Sequence, residues 1–496
     1  MSLGQFLMAG GWLLAANLRS RTLQTIRNPV FIFPATLYLI QLVGLWNTSN
    51  VDWGLHDLRI KLPILLLPFL LVAGPGMDLR FKVICLRTLF GGVLAATSIG
   101  IVRVLIGEVP LHDFRSLSPF ISHIRLSLLL VFSIAAIVLV PLRNPRTGLR
   151  VLQIVIILWF LFYLVLLQSL TGLTILAFII LVGAGVQVLR SDKTTVRISM
   201  LLIVLVGGLS GVMLVRYIAI DSLKPEKPDP QTLKTSSELG SPYRNDIDQI
   251  EIENGRFVWT EYSEKELDSA WTLRSKIPLE KSDSSGRFPL ATLMRYLTYL
   301  GYSKDAAGVN ALTASQIHEI EQGYATPLHA KAKMGVLLRV KELAREYRTY
   351  HYTGFAQGHT FAQRLEYQRA ALYLIRHQPW TGVGTGDLPV AYAEAYDRIG
   401  STLDHEWRLR AHNQYLSLGV ANGVGAMAWL FIMLSYLLIR GFRKRQLLQV
   451  VFLMIVAFSF LTEDTLETQA GVTFFAFLCC LAESWKSGDS ASVSPA

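Results

Sequence analysis

The sequence predicts an all-α polytopic membrane protein of about eleven to twelve transmembrane helices with a large helical loop domain. Two observations lead to this fold class. Of the 496 residues, 52% are hydrophobic and only 17% are charged, with a mean hydropathy of +0.40, whereas soluble domains carry about 25% charged residues. The apolar residues also occur in blocks of about twenty, the length that a helix needs to cross the ~30 Å hydrocarbon core of a bilayer.

Eleven apolar segments are candidates for these helices, and a twelfth helix could be split from residues 5–46 or hidden within 445–485. The first segment resembles the core of a signal peptide, but no small-residue cleavage site precedes the arginines at positions 19–27, so we expect a retained helix. The candidate segments are 5–18, 31–46, 62–74, 83–106, 121–140, 151–169, 171–189, 198–218, 415–438, 447–461 and 470–484.

Lysine and arginine are distributed unevenly between alternate short loops. One set of loops, together with the C-terminal tail, contains sixteen of these residues, and the other set contains three. The positive-inside rule then places the long central segment outside the cytoplasm. We therefore predict a transmembrane block at 1–218, an external loop domain at 219–414, C-terminal transmembrane helices at 415–485 and a cytoplasmic tail at 486–496.

The external segment has nearly balanced charge, so the net charge of +11 comes from the loops that flank the membrane helices. A nucleic-acid partner is therefore not expected, whereas membrane lipids are. Residues 221–290 are polar and predicted to be rich in loops, and 291–380 are predicted to be mostly helical. The three cysteines all lie in apolar blocks, which argues against a disulfide framework or a cysteine-based zinc site.

The strongest candidate for a chemical site runs from Arg364 to Asn413. Histidine can act as a general base near neutral pH, and arginine can bind a diphosphate through paired hydrogen bonds. Interfacial histidine and arginine are also common as helix caps and headgroup anchors, and this alternative stays open. The residues of interest are Arg364, the turn 382–387 with Gly384, Gly386 and Asp387, and the stretch Arg410, His412 and Asn413.

Arginines near the outer ends of the predicted helices could form an anion site. Arg103 and Arg216 are readily explained as side chains that reach lipid phosphates, whereas Arg125 lies deeper and close to His123. The acidic turn 462–467 also faces outward; we expect it to be solvated, although it could pair with the arginines or orient His412. The clustered histidines lack the spacing of a helical metal site, so no metal and no cofactor is expected.

Taken together, these motifs resemble the O-antigen ligase and O-antigen polymerase superfamily, in its branch with a large external loop. The resemblance rests on Arg364 to Asp387, on the sequence RAHNQYL at 410–416, and on the order of the membrane helices. It implies a metal-independent, inverting glycosyltransferase in the bacterial inner membrane, with its active site facing the periplasm. The expected donor is an undecaprenyl-diphosphate-linked glycan, and the expected acceptor is lipid A–core or another glycan.

The resemblance assigns His412 as the catalytic base and Arg364 as the ligand of the donor diphosphate. We add Arg125 and Arg410 as further diphosphate ligands, with Asn413, Asp387, Gly384 and Gly386 as supporting residues. One departure concerns the turn 168–172, where Leu170 stands in the place of an arginine found in many family members. Another outer arginine such as Arg125 could substitute for it.

Several functions remain open at this point. A ligase and a polymerase differ in acceptor, and the large external loop favours the ligase because its acceptor is bulky. A relative that glycosylates proteins is also compatible. The alternative from another class is a transporter of a lipid-linked or anionic substrate, but the intramembrane charges lie near helix ends rather than along a path. A catalytically inactive scaffold is a further possibility because of Leu170.

Overall fold

A computed structural model describes residues 3–14, 18–73, 78–109, 116–140, 147–219, 229–249, 251–279, 289–327 and 336–485. Its twenty α-helices in these ranges are α1 (Leu3–Leu13), α2 (Leu18–Thr25), α3 (Pro29–Val43), α4 (Val51–Lys61), α5 (Pro63–Ala73), α6 (Leu79–Leu105), α7 (His123–Leu139), α8 (Thr147–Leu166), α9 (Leu170–Arg190), α10 (Thr194–Ala219), α11 (Glu264–Thr272), α12 (Pro289–Leu300), α13 (Ala306–Asn310), α14 (Ala314–Glu321), α15 (Val336–Thr353), α16 (Thr360–His377), α17 (Leu388–Arg398), α18 (Gln414–Arg443), α19 (Leu447–Thr462) and α20 (Gln469–Ser484).

The fold is that of an all-α polytopic membrane protein, as the sequence predicts. Each of the eleven apolar segments overlaps a helix in the described part of the chain. In the described part of the chain, five helices are long and apolar enough to span a bilayer, namely α6, α8, α9, α10 and α18. Four shorter apolar helices, α3, α7, α19 and α20, accompany them. The strands β1 (Ile252–Glu253) and β2 (Arg256–Phe257) form one short antiparallel hairpin.

The contacts divide the chain into two compact units. The first contains Met1–Val204, Glu366–Ser401 and Arg408–Ala496, and the second contains Leu205–Leu365 and Thr402–Trp407. The predicted boundaries at 219 and 414 follow the expected membrane surface and stay a prediction. The division into compact units reflects which segments pack together. It assigns Glu366–Ser401 to the same unit as most of the membrane helices. The predicted tail, 486–496, lies outside the described residues.

The core of the first unit is formed where α18, α19 and α20 pack with α3, α5, α7 and α9. Phe132 of α7 meets Phe452 of α19 edge-on, with ring centroids 5.8 Å apart, and both rings are fully buried together with Phe475 and Leu430. This packing joins the first half of α7 to α19 in one core. These two helices lead to Arg125 and to the acidic turn.

Helix α18 is broken near its start by Gly423, which has φ 82° and ψ 173°. A side chain at this position would place its Cβ only 2.2 Å from the carbonyl oxygen of Trp380. The break also frees the N–H of Val424 to donate to the carbonyl of Pro379 at 2.7 Å. The glycine therefore allows the segment after α16 to lie directly against α18, which no continuous helix would permit.

The second unit has a separate hydrophobic core around Trp271, Tyr296, Leu293 and Met294, all of them fully buried. Helices α11 to α14 supply most of this core. The predicted division of the external segment holds in part. Helices do dominate after residue 289, but the preceding region, predicted to be mostly loop, also contains α11 and the hairpin.

Candidate functional site

His412 lies in a strained backbone conformation directly before α18. Its φ is +45°, in the left-handed region that non-glycine residues adopt only at a cost of about 1–3 kcal/mol. The next residue, Asn413, begins the helix because its Oδ1 accepts a hydrogen bond from the N–H of Leu416 at 3.1 Å. The cap defines where the helix starts, directly after the strained residue His412.

The carboxylate of Asp464 stabilises this conformation. Its Oδ2 accepts the N–H of His412 and its Oδ1 accepts the N–H of Asn413, both at 2.9 Å. The hydroxyl of Ser417 donates to Oδ1 at 2.7 Å. Three donors thus converge on one side chain from the acidic turn, and charge-assisted hydrogen bonds of this kind are the strong ones.

The imidazole ring of His412 is packed on one face and partly exposed to solvent. It stacks on Tyr367 with ring centroids 5.5 Å apart and an angle of 29°. Nδ1 is buried and has no hydrogen-bond partner among the described residues, and its nearest carboxylate oxygen is Oε2 of Glu463 at 3.8 Å. The side chain is 31% exposed, so Nε2 is the nitrogen that a substrate can reach.

Arg410 is held by a buried ionic network. Its Nη1 donates to Oε2 of Glu467 at 2.5 Å, Nη2 lies 3.9 Å from Asp57, and the guanidinium lies over the ring of Trp53 at 4.7 Å. Lys61 pairs with Asp57 at 2.7 Å and with Glu467 at 2.9 Å. The positive charge of Arg410 is therefore already matched within the protein.

Charge pairing has a larger effect than burial on the pKa of Glu467. Burial by itself would raise the pKa of this carboxyl, but Lys61 and Arg410 lower it to about 2. Gln414 adds a hydrogen bond, donating from Nε2 to Glu467 Oε1 at 3.0 Å. Beside this network lies a cavity of about 20 Å³ lined by Lys61, Gln414 and Glu467 among others, which is room for one water molecule and too little for a sugar.

The turn 382–387 is a packing element of the first unit. The N–H groups of Val383 and Gly384 donate to the carbonyls of Val420 and Ala421 in α18, at 2.8 and 3.0 Å. A Cβ on Gly384, whose φ is +91°, would lie 2.1 Å from the carbonyl oxygen of Asn47. These glycines are needed because two backbone segments approach the turn closely, and its N–H groups are used within the protein.

Gly386 and Asp387 fasten the same turn to the start of α4. The N–H of Gly386 donates to the hydroxyl of Thr48 at 2.7 Å. The carboxylate of Asp387 accepts the N–H groups of Ser49 and Asn50, each at 2.8 Å. These hydrogen bonds, which outweigh the effect of burial, lower the pKa of Asp387. The supporting role expected of both residues is therefore best explained as packing between α3, α4 and α18.

Arg125 lies in the first turn of α7, which begins at the cap residue Ser122. Its side chain is half-buried, and it forms no ion pair within the described ranges. Two residues further on, the hydroxyl of Ser127 accepts a hydrogen bond from Ser169 at 2.9 Å. Ser169 caps α9 directly before Leu170, so the turn that lacks the expected arginine is joined to the part of α7 that carries Arg125.

Arg364 belongs to the second unit, where it lies half-buried in the N-terminal half of α16. The remaining predicted residues, namely His412, Arg410, Asn413, Asp387, Gly384, Gly386 and Arg125, all belong to the first unit. Within that unit His412, Arg410 and Asn413 meet at the acidic turn.

The solvated state expected for the acidic turn is wrong. Thr465 and Leu466 are buried, and the side chain of Glu467 is only 8% exposed. Its carboxylates hold Arg410 and the backbone of His412, which is the alternative that the sequence left open. Asp57, Lys61 and Tyr367 were not identified from the sequence. The i,i+4 spacing of Asp57 and Lys61 was the one local signal that could have indicated a pair.

The comparison with known families concerns this region of the chain. The model of the O-antigen ligase family matches residues 323–431. This match supports membership of the chain in the O-antigen ligase superfamily. The matched segment includes Arg364, the turn 382–387, Arg410 and His412, whereas Arg125 and the acidic turn lie outside it. Among curated proteins, no match to the chain is found.

The same match supports a glycosyltransferase-like role of the ligase or polymerase type. The substrates of such a role are, in general terms, a lipid-linked glycan and an acceptor. The site around His412 combines an accessible imidazole nitrogen with a backbone that Asp464 holds in place.

Proposed function

We propose that this protein is an O-antigen ligase. In this proposal it moves a glycan from undecaprenyl diphosphate to a lipid A–core acceptor at the periplasmic face of the bacterial inner membrane. The observation that carries the proposal is the state of His412: a strained backbone held by Asp464, a stacked ring and an outward-facing Nε2. Strain of this kind persists where the surrounding structure enforces it, and it concentrates at functional sites.

In the proposed reaction, Nε2 of His412 accepts the proton of the acceptor hydroxyl as its oxygen attacks the anomeric carbon. The bond from that carbon to the diphosphate breaks, and undecaprenyl diphosphate leaves with the electron pair. A single displacement inverts the configuration, so an α-linked donor gives a β linkage. Glu463 is suitably placed to accept a hydrogen bond from Nδ1 and to stabilise the imidazolium after a small closure of the 3.8 Å gap.

The leaving diphosphate requires positive charge. We assign this role to Arg364, following the family resemblance, and to Arg125, whose charge is unmatched within the described part of the first unit. Arg410 would have to exchange Glu467 for the diphosphate, so its contribution to the proposal is to anchor the segment that precedes His412. Arginine charge makes a metal unnecessary in this scheme.

The test uses purified protein in detergent, an undecaprenyl-diphosphate-linked glycan, lipid A–core, and EDTA. The most informative variant is His412→Asn, because asparagine tolerates a left-handed backbone better than alanine does. We expect transfer to the lipid acceptor to fall by about 10²–10⁴-fold, since general-base catalysis contributes about that much, while the melting temperature stays unchanged.

A matched control is His377→Asn, which replaces an exposed histidine of the same unit and should leave transfer intact. Full transfer by His412→Asn would exclude the general-base role. Growth of the lipid-linked glycan itself, without transfer to lipid A–core, would identify a polymerase, and transfer only to a protein acceptor would identify a protein-glycosylating relative. If the donor crosses the membrane with no transfer to any acceptor, the transporter alternative stands.

A further inference from the structure

The second unit contains a cluster of half-buried arginines around two glutamates. Oε1 of Glu251 accepts a hydrogen bond from Nη1 of Arg345 at 2.6 Å. Nε of Arg295 donates to Glu253 at 2.7 Å and lies 3.6 Å from Glu251. Oε2 of Glu251 also accepts the indole N–H of Trp259 at 2.8 Å. Both glutamates are therefore occupied by Arg295 and Arg345.

Arg348 is the third cation of this cluster: Glu251 and Glu253 attract it electrostatically, but it forms no ion pair of its own within the described ranges. It lies on α15 three residues after Arg345, which puts the two side chains on neighbouring turns of one helix face. Its Nε is buried and has no hydrogen-bond partner within the described ranges, and the same holds for Nε of Arg345. Burial lowers the pKa of Arg348, and the charge of Arg345 lowers it further.

The other acidic side chains of α15 are already occupied. Arg339 lies 3.0 Å from Glu342 and 3.7 Å from Glu346, and Glu346 also accepts the N–H of Phe361 at 2.7 Å. A guanidinium stays charged in proteins, so three arginines that share Glu251 and Glu253 leave an excess of positive charge in this half-buried cluster. The charge of Arg348 is therefore best explained by an anion from outside the chain.

The surroundings of Arg348 indicate where that anion comes from. The phenol of Tyr217 interacts electrostatically with Arg348. Tyr217 lies at the C-terminal end of α10, which from Thr194 to Tyr217 is long and apolar enough to span a bilayer. Tyrosine is enriched at the ends of such helices, at the level of the lipid headgroups. Its proximity to the end of α10 places Arg348 near the expected level of the lipid phosphates.

We propose that Arg348 and Arg345 bind the phosphate group of a lipid at this membrane surface. The guanidinium of Arg348 would form the primary contact, and Nε of Arg345 would add a second donor while Nη1 of the same residue stays on Glu251. Arginine suits this role because its planar fork matches phosphate oxygens. The proposal does not depend on the proposed ligase activity, because the binding of a lipid phosphate is measured without transfer.

The experiment measures lipid retention by the purified full-length protein. The protein is exchanged into detergent containing a phosphatidylcholine, a phosphatidylglycerol or lipid A–core, and the bound lipid is counted by native mass spectrometry. The variant is Arg348→Gln. The control is Arg244→Gln, which removes the same charge from an exposed position of the same unit, where Arg244 pairs with Asp246.

We expect the wild type to retain phosphatidylglycerol or lipid A–core in preference to phosphatidylcholine, whose phosphate is balanced by its own choline. Arg348→Gln should lower this retention about tenfold, the loss that follows from removing a charge-assisted hydrogen bond, and Arg244→Gln should retain the lipid. Retention of both phosphatidylglycerol and lipid A–core identifies a general site for lipid headgroups. Retention of lipid A–core alone identifies the acceptor as the source of the phosphate. Release by inorganic phosphate supports recognition of the phosphate group itself.

A second readout separates binding from folding. In phosphatidylcholine, Arg348→Gln should melt no lower than the wild type, because the substitution removes one of three arginines that share two glutamates there. In phosphatidylglycerol the wild type should melt higher than the variant. The proposal is overturned if Arg348→Gln retains as much phosphatidylglycerol and lipid A–core as the wild type, or if the wild type does not distinguish these lipids from phosphatidylcholine.

Discussion

At the scale of single residues, the conformation of His412 depends on a side chain more than fifty positions away. Asp464 accepts the N–H groups of both His412 and Asn413, and this pair of hydrogen bonds offsets the strain of a left-handed histidine. Asp464 touches the backbone and leaves the imidazole to the substrate. It is therefore a positioning residue in the proposed reaction.

We predict that Asp464→Asn lowers transfer without weakening substrate binding. The amide has a single acceptor oxygen, and its NH₂ group would face one of the backbone N–H donors. The ring of His412 should shift as a result, and a misplacement of about 1 Å can cost about 10²-fold in rate. Steady-state kinetics should show a lower kcat at nearly constant KM. Asp397→Asn, at an exposed carboxylate that pairs with Arg408, serves as the control, and an unchanged kcat in Asp464→Asn would remove Asp464 from the mechanism.

Arg125 is predicted to replace the arginine that is missing at position 170. Arg125→Gln should raise the KM for the donor about tenfold, the effect of losing a charge-assisted contact. Since the turn at Ser169 is bonded to Ser127 of the same helix, adding Leu170→Arg should restore much of that affinity. Arg103→Gln, at an arginine already paired with Glu108, should have little effect. A double variant as weak as Arg125→Gln alone would disprove the substitution.

At the scale of elements, the break in α18 determines how the segment after α16 is placed. Gly423 opens the helix, and the carbonyls of Pro379, Val420 and Ala421 then take part in hydrogen bonds between α18 and the turn 382–387. The turn in turn fastens the start of α4 through Asp387. A broken helix thus joins three parts of the first unit.

Two neighbouring glycines of α18 provide a matched test of this arrangement. Gly423→Ala should destabilise the protein by about 2–4 kcal/mol, because a left-handed backbone and a close carbonyl both oppose the new methyl group. Gly425→Ala meets nothing within 4 Å and should change the stability by at most about 1 kcal/mol, in the stabilising direction. Thermal unfolding in detergent measures both. Similar melting temperatures for the two variants would mean that the break is not required.

At the scale of the whole molecule, buried charges connect segments that are distant in sequence. Asp57 and Lys61 of α4 meet Arg410 and Glu467 in one network. Two cations and two carboxylates alternate, so each charge has a neighbour of opposite sign. Removing one member of such a group costs about 3–5 kcal/mol because it leaves the partner buried without compensation.

The stability of the network should depend on pH through Glu467. Its pKa is lowered to about 2 from an ordinary value of about 4.3, so its contribution to stability is complete above the ordinary value and is lost as the pH falls toward 2. The wild type should therefore lose melting temperature over that interval. Glu467→Gln should melt lower at neutral pH and show a smaller further loss in acid, while Glu394→Gln, at an exposed site, should behave as the wild type does. An equal acid loss in all three proteins would contradict this assignment.

The sequence by itself determined the fold class, the positions of the apolar helices and the residue at the centre of the candidate site. These features follow from local sequence patterns. A run of twenty apolar residues, or the stretch from Arg410 to Asn413, is recognisable without knowledge of its contacts in the folded protein. The family resemblance rested on the same local motifs, and the match over residues 323–431 confirms it.

Only the tertiary structure decided what the charged and glycine-rich segments do. The acidic turn was expected to be solvated, yet it holds His412 and Arg410. The glycines of the turn 382–387 resembled a ligand-binding loop, yet they allow close packing against α18. The partners of these residues lie far away in the chain: Asp464 pairs with position 412, and Lys61 with position 467. Electrostatic and packing energies depend on distance in space, which no spacing along a single sequence records.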